Sequence, residues 1–124
     1  MHLPIYQLSD VAEGLNYLHS CNVVHGDLKG VRGYMLFSFT AILTPHQSNI
    51  LVDPTGCARI TNFGLVMVTQ SLDSIRNASG ERGHSAQWIA PEILDGQGTH
   101  SREGDVFSFA MVMIEVRCRW SSIY

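Results

Sequence analysis

The sequence contains little positive charge and only one lysine. Its 124 residues carry 8 lysines and arginines against 11 aspartates and glutamates, so the formal net charge is −3. With a pI near 6.0, the chain has no basic field that would attract a nucleic acid or an anionic lipid surface. We therefore expect no nucleic acid and no membrane among its partners.

Cysteine is also scarce, and long apolar runs are absent. The three cysteines form no CxxC pair, so their spacing indicates neither a disulfide framework nor a zinc site and favours a reducing compartment. No run reaches the roughly 18 apolar residues of a membrane span, and the first residues lack the pattern of a secretory signal. We expect an intracellular, cytoplasmic chain that forms one modest domain or part of one.

Apolar spacing predicts a helix over residues 4–20. Five apolar side chains recur at intervals of three and four and would form one stripe along it: Ile5, Leu8, Ala12, Leu15 and Leu18. Val23 and Val24 then predict a short buried strand that leads into a polar loop. The chain should thus present the charged residues that follow at the end of a packed segment.

The rest of the chain predicts a hairpin, a long loop and a second helix. β-prone runs at 49–52 and 58–61 flank a turn that contains proline and glycine. Residues 65–85 have no sustained periodicity and predict a long loop. Asp105 is a candidate N-cap for a helix over 106–115, whose apolar residues on nearly every side predict a place in the core.

Five short motifs follow one another along the chain. They are His-Gly-Asp-Leu-Lys at 25–29, Asn49, Asn-Phe-Gly at 62–64, Ala-Pro-Glu at 90–92 and Asp-Val-Phe-Ser-Phe at 105–109. In this order they resemble the C-terminal lobe of a fungal-like eukaryotic protein kinase, and the motif residues themselves are most similar to the tyrosine-kinase-like group of Ser/Thr kinases. The resemblance covers residues 4–116. It implies an α+β, mostly helical fragment with a small β-hairpin and no N-terminal lobe.

The resemblance implies ATP-dependent phosphorylation of protein serine, threonine or tyrosine hydroxyls, with ATP and Mg²⁺ as cofactors. Asp27 would accept or orient the substrate hydroxyl proton, and Lys29 would neutralise the transferring phosphate. Asn49 and Asn62 would hold the metal and, together with Leu51, the nucleotide. Taken singly, these residues are also common as solvated loop or turn residues. Their joint occurrence favours the catalytic interpretation.

Four further residues would be structural by the same resemblance: His25, Phe63, Glu92 and Asp105. His25 would stack under the loop, and Asp105 would bond to the loop backbone. Glu92 would pair with an arginine of a later helix. Left unpaired and partly buried, we expect its carboxylate to cost on the order of a few kcal/mol of stability.

Two residues differ from the motifs of active kinases. Gly26 replaces an arginine that binds phosphorylated activation loops, which is compatible with activity. Asn62 replaces an aspartate whose carboxylate supplies the main protein charge on magnesium, and an amide offers only one neutral oxygen. We therefore predict that the chain is catalytically incompetent as given. A pseudokinase remnant that binds a protein partner is the alternative.

The segment 31–47 separates Gly30 from Ser48, and deleting it would restore a continuous loop of the kinase type. We expect such a segment to hold Lys29 away from Asn49, although both must meet one phosphate. Its apolar patches have no clear period, and we interpret it as a translated retained intron. The tail 117–124 is interpreted in the same way. A genuine insertion and a genuine tail are the alternative.

Overall fold

The computed structural model of the chain describes residues 3–30, 49–63 and 86–121. These ranges contain three α-helices, α1 (Leu3–Ser20), α2 (Pro91–Leu94) and α3 (Arg102–Ser121), and a 3₁₀ helix at Ala86–Trp88. Strands β1 (Ile50–Val52) and β2 (Ala58–Ile60) pair as an antiparallel hairpin. The predicted combination of helices with one small hairpin is confirmed for the described residues.

Helix α1 agrees with the helix predicted over residues 4–20, but its buried face differs by one position. Val11, Leu15 and Leu18 are buried, whereas Ala12, which was expected in the stripe, is exposed. The helix ends at Ser20. Two residues later Asn22 has φ of 59°, and the Val23 N–H donates to the carbonyl of Leu18 at 2.9 Å. This left-handed cap turns the chain toward the polar loop. The strand expected at Val23 does not form.

The hairpin packs against α1. Ile50 is opposite Ile60 in the register, and the N–H of Ala58 donates to the carboxylate of Asp10 on α1 at 2.9 Å. A side chain at Gly14 would contact Ile60 at 3.3 Å, so the glycine allows the helix and β2 to approach closely. The predicted hairpin is therefore confirmed, with both strands slightly shorter than expected.

Helix α3 begins earlier and ends later than the predicted 106–115. The hydroxyl of Ser101 accepts a hydrogen bond from the N–H of Gly104 at 3.0 Å, which is the geometry of an N-cap. Asp105 lies in the first turn of the helix, so its predicted role as the N-cap is wrong. Its carboxylate is free to bond elsewhere. The helix continues without interruption through residues 116–121.

The buried core joins α1, the hairpin, the 3₁₀ helix and α3. Its apolar members are Val11, Leu15, Leu28, Ile50, Ala58, Trp88 and Val112. Val106, Met113 and Ile114 of α3 are 40–56% exposed. The predicted place of this helix in the core is therefore confirmed for the side that includes Val112, whereas other apolar side chains of the helix are exposed within the described part of the chain.

Several expectations fall on other parts of the chain. The segment 31–47 with Ser48, the whole loop predicted at 65–85, Gly64 and residues 122–124 lie outside the described residues. Among the helices that are described, none combines the length and the apolar character needed to cross a membrane.

Candidate functional site

The polar loop at residues 25–30 is attached to the N-terminal turn of α3 by one buried carboxylate. Asp105 is 1% exposed and accepts hydrogen bonds from the backbone N–H groups of His25 and Gly26 at 2.8 and 2.7 Å. The Nε2 of His19 donates to the same carboxylate at 2.8 Å. A buried charge requires such partners. These are the bonds to the loop backbone that the resemblance implies for Asp105.

The buried side chain of His25 links the loop to the residue that follows β2. The side chain is fully buried, and its Nε2 donates to the carbonyl of Thr61 at 2.9 Å. Its Nδ1 accepts the backbone N–H of Asp27 at 3.2 Å. Because both ring nitrogens have partners, the ring orientation is fixed, and with it the backbone that carries the Asp27 carboxylate.

Asp27 and Lys29 form an ion pair at the surface of this supported loop. Lys29 Nζ lies 3.1 Å from Asp27 Oδ2, and the side chains are 13% and 44% exposed, respectively. The intervening Leu28 is 1% exposed and belongs to the hydrophobic core. It therefore anchors the loop between the two charged residues.

Asn49 and Asn62 extend this cluster by a chain of amide hydrogen bonds. Asn49 is buried, and its Nδ2 donates to the backbone carbonyl of Asp27 and, at 3.1 Å, to Asp27 Oδ2. The Nδ2 of Asn62 donates to Asn49 Oδ1 at 2.9 Å. Asn62 has φ of 58°, a left-handed conformation that asparagine adopts more readily than most residues.

The contact between Asn49 and Asp27 corrects one expectation. The segment 31–47 was predicted to hold the two ends of the loop apart, yet Asn49 reaches the carbonyl and the carboxylate of Asp27. The hairpin explains this arrangement. Asn49 directly precedes β1, and its carbonyl accepts the N–H of Thr61, whose own carbonyl bonds to His25. Pairing with Thr61 beside β1 thus holds Asn49 in this position.

Three other candidates lie apart from this cluster. Leu51 on β1 is 54% exposed, and Phe63 is 55% exposed. Glu92 on α2 is also exposed, so the stability cost expected from its partial burial does not arise. Their predicted roles toward a nucleotide or in the fold stay predictions.

Sequence reasoning missed several residues that support the site. His19 bonds to Asp105 although 86 positions separate them, and no local pattern indicates such a pair. The hydroxyl of Ser108 donates to the carbonyl of Trp88 at 2.6 Å, and Trp88 Nε1 donates to Glu115 at 3.3 Å. A side chain at Gly30 would collide with the Glu115 carboxylate. Helix α3 therefore positions both the loop and the 3₁₀ helix.

A shallow pocket lies beside the ion pair. Its walls come from the loop, from the segment after the 3₁₀ helix and from the start of α3, and they include Asp27, Lys29, Ile89, Ile93, His100 and Ser101. The charged pair thus stands at the edge of a recess that a second molecule can approach. No group of three or more His, Cys, Asp or Glu side chains within the described ranges could hold a metal ion.

Comparison with known proteins identifies the class of this arrangement. The family model described as protein tyrosine and serine/threonine kinase matches residues 46–123. The chain belongs to this family.

Individual relatives agree with this assignment. The LEAF RUST 10 disease-resistance locus receptor-like protein kinase-like 2.1 of Arabidopsis thaliana is 33% identical over 110 residues, or 86% of this chain. Mitogen-activated protein kinase kinase kinase 3 of the same plant is 32% identical over 90% of the chain. Serine/threonine-protein kinase STE11 of Saccharomyces cerevisiae is 30% identical over 83%. The matched regions are only 12–15% of the length of these relatives.

Proposed function

We propose that this chain carries the catalytic loop of a protein serine/threonine kinase, from the C-terminal lobe of the domain, with Asp27 and Lys29 as its catalytic pair. The observation that carries the proposal is the 3.1 Å ion pair on a loop whose backbone is fixed by Asp105. Phosphoryl transfer needs a positioned hydroxyl and neutralised phosphate oxygens more than it needs covalent chemistry. The two side chains supply these two requirements.

Asp27 acts on the substrate hydroxyl. Its carboxylate is 44% exposed, and Oδ2 is held by Lys29 and Asn49, which leaves Oδ1 to accept the hydroxyl hydrogen. Lys29 is largely buried and stays close to this carboxylate, so its ammonium group can neutralise a phosphate brought to the same place. We infer that the substrate is a protein side chain that would reach Oδ1 from the side of the adjacent recess.

A non-catalytic protein-binding role is the second candidate. The observation that favours it is Asn62, which contributes an N–H donor to Asn49 instead of a negative charge. Protein kinases generally use ATP with Mg²⁺, and the residues described here provide no carboxylate at this position for the metal. We therefore expect the 124-residue chain itself to transfer no measurable phosphate.

A chimera tests whether the loop can support phosphate transfer even if the 124-residue chain alone cannot. Residues 23–30 and 49–61 would replace the aligned residues of the yeast kinase STE11, and incorporation of labelled phosphate into protein would be measured. We expect an active chimera, and a loss of about 10²–10⁴-fold on Asp27→Ala because the hydroxyl is no longer oriented. Val52→Ala, which shortens an exposed side chain of the grafted hairpin, is the control and should keep activity.

Two results would count against the proposal. An inactive chimera that folds normally would show that the loop is not competent. For the chain alone, labelled phosphate incorporated above an Asp27→Ala control would contradict the expected lack of activity.

A further inference from the structure

The amide of Asn49 has a single possible orientation. Both hydrogens of its Nδ2 are directed at Asp27, one toward the backbone carbonyl and one toward the carboxylate. Its Oδ1 must therefore face the opposite way, toward Asn62. The side chain is 4% exposed, so an unfavourable contact at Oδ1 could not be relieved by turning the amide outward.

The side chain at position 62 faces this oxygen, and its chemistry determines whether a direct hydrogen bond or a cation can link residue 62 to Asn49. Asn62 presents an N–H donor to Oδ1 at 2.9 Å, and the pair is satisfied without any third group. A carboxylate at position 62 would place a second acceptor at a similar distance. Two facing acceptors repel each other unless a cation lies between them, so the amide removes the need for that cation.

The oxygen atoms that lie between the loop and the hairpin are already engaged and do not fit a magnesium ion. Mg²⁺ requires oxygen ligands in near-octahedral geometry and is usually bound through one or two carboxylates. Here Asn49 Oδ1 accepts from Asn62, and Asp27 Oδ2 accepts from both Lys29 and Asn49. The lysine ammonium group, 3.1 Å from that carboxylate, adds repulsion toward a second cation.

We infer that this site is organised without a divalent cation, and that the Asn62 amide takes over the linking role between the loop and the hairpin. This inference goes against the metal-binding roles that the family resemblance implies for Asn49 and Asn62. It does not depend on whether the chain transfers phosphate. It predicts that Asn62→Asp, which replaces the side-chain NH₂ group by a charged oxygen, gives the site an affinity for divalent cations that it otherwise lacks.

The chain offers a matched control for that exchange. Asn22 is the other described asparagine with a left-handed backbone, with φ of 59° against 58° for Asn62. It lies at the end of α1, where its Oδ1 accepts a hydrogen bond from Arg102. Asn22→Asp therefore adds the same charge in the same backbone conformation, away from Asp27 and Asn49.

The test compares the full chain with Asn62→Asp and Asn22→Asp, using Mg²⁺ and Mn²⁺ as probes. Thermal unfolding is followed with and without Mg²⁺, and Mn²⁺ binding is measured by electron paramagnetic resonance. For Asn62→Asp we expect Mn²⁺ binding on the order of 10–100-fold tighter than for the unmodified chain, and a Tm that rises with Mg²⁺. The unmodified chain and Asn22→Asp should show neither effect. Equal cation responses in all three proteins would overturn the inference.

A second measurement needs only the unmodified chain, so it does not depend on the folding of a variant. Mn²⁺ broadens nuclear magnetic resonance signals close to its binding site. We expect the side-chain amide signals of Asn49 and Asn62 to broaden no more than that of Asn22. Selective broadening of the first two would show that a cation binds there and would overturn the inference.

Discussion

At the scale of single residues, Asp105 fixes the backbone of the loop that carries Asp27 and Lys29. Its two oxygens accept three hydrogen bonds, two from the loop backbone and one from His19. Each donor is thereby satisfied by a carboxylate that is itself 1% exposed. A hydrogen bond to a charged group contributes about 1.5–3 kcal/mol, and an unsatisfied buried donor costs a comparable amount.

The substitution Asp105→Asn preserves the shape of this side chain but not its acceptors. Whichever way the new amide turns, its NH₂ group faces a backbone N–H, so at least one donor loses its partner. We expect the free energy of unfolding, measured by urea denaturation, to fall by about 3 kcal/mol. The control Asp95→Asn changes an exposed carboxylate and should stay within about 0.5 kcal/mol. Equal losses in both variants would contradict this role of Asp105.

At the scale of elements, the sequence predicts what is local and misses what is distant. The period of α1 and the turn residues of the hairpin are local signals, and both elements occur where they were expected. The start of α3 was placed too late, because Asp105 was assigned to a cap and Ser101 was overlooked. The bond between His19 and Asp105 joins residues 86 positions apart, and only tertiary packing brings them together. The candidate site was predictable in its residue types but not in the amide chain that joins them.

The hairpin turn makes one element of the fold sensitive to acid. The hydrogen bond from the hydroxyl of Thr55 is the main cause that lowers the pKa of Asp53 from 3.8 to about 2. Desolvation opposes it, and further hydrogen bonds from the N–H of Cys57, from Arg59 and from the N–H of Thr55 add to the lowering. A carboxyl group with a lower pKa in the folded than in the unfolded state stabilises the fold where it is ionised. This contribution is present above about pH 3.8 and is lost as the pH falls toward 2.

This pH dependence can be measured by urea unfolding of the chain and of Asp53→Asn between pH 2 and pH 6. We expect the unmodified chain to be the more stable at pH 6, and the difference to shrink as the pH falls through the window of about 3.8 to 2. Thr55→Val removes the main hydrogen bond to the carboxylate and should move the loss to higher pH. A stability difference that is constant over the whole range would exclude this role for Asp53.

At the scale of the whole molecule, two elements that follow later in the chain, the hairpin and α3, meet at one loop. Helix α3 holds residues 25–26 through Asp105, and the hairpin holds His25 and Asp27 through Thr61 and Asn49. The chain enters the hairpin at Asn49 only after the segment 31–47, yet this contact forms. We propose that the folded unit does not need the segment 31–47. We also propose that this segment is translated from a retained intron. Spliced transcripts without its codons would support the second statement, and a dominant message that contains them would contradict it.

Deletion of residues 31–47, which joins Gly30 to Ser48, tests the first statement directly. Shortening the connection lowers the entropy cost of bringing Lys29 and Asn49 together, and the logarithmic dependence on loop length limits the gain to about 2 kcal/mol. We therefore expect a free energy of unfolding equal to that of the full chain or higher by up to this amount, and unchanged amide signals for Asn49 and Asn62. A Gly/Ser segment of the original length is the control, and it should match the full chain if the sequence of the segment contributes nothing. The opposite outcome is a deletion variant that fails to fold while the Gly/Ser variant folds. It would show that Ser48 alone cannot bridge from Gly30 to Asn49, and that the segment is a required connection.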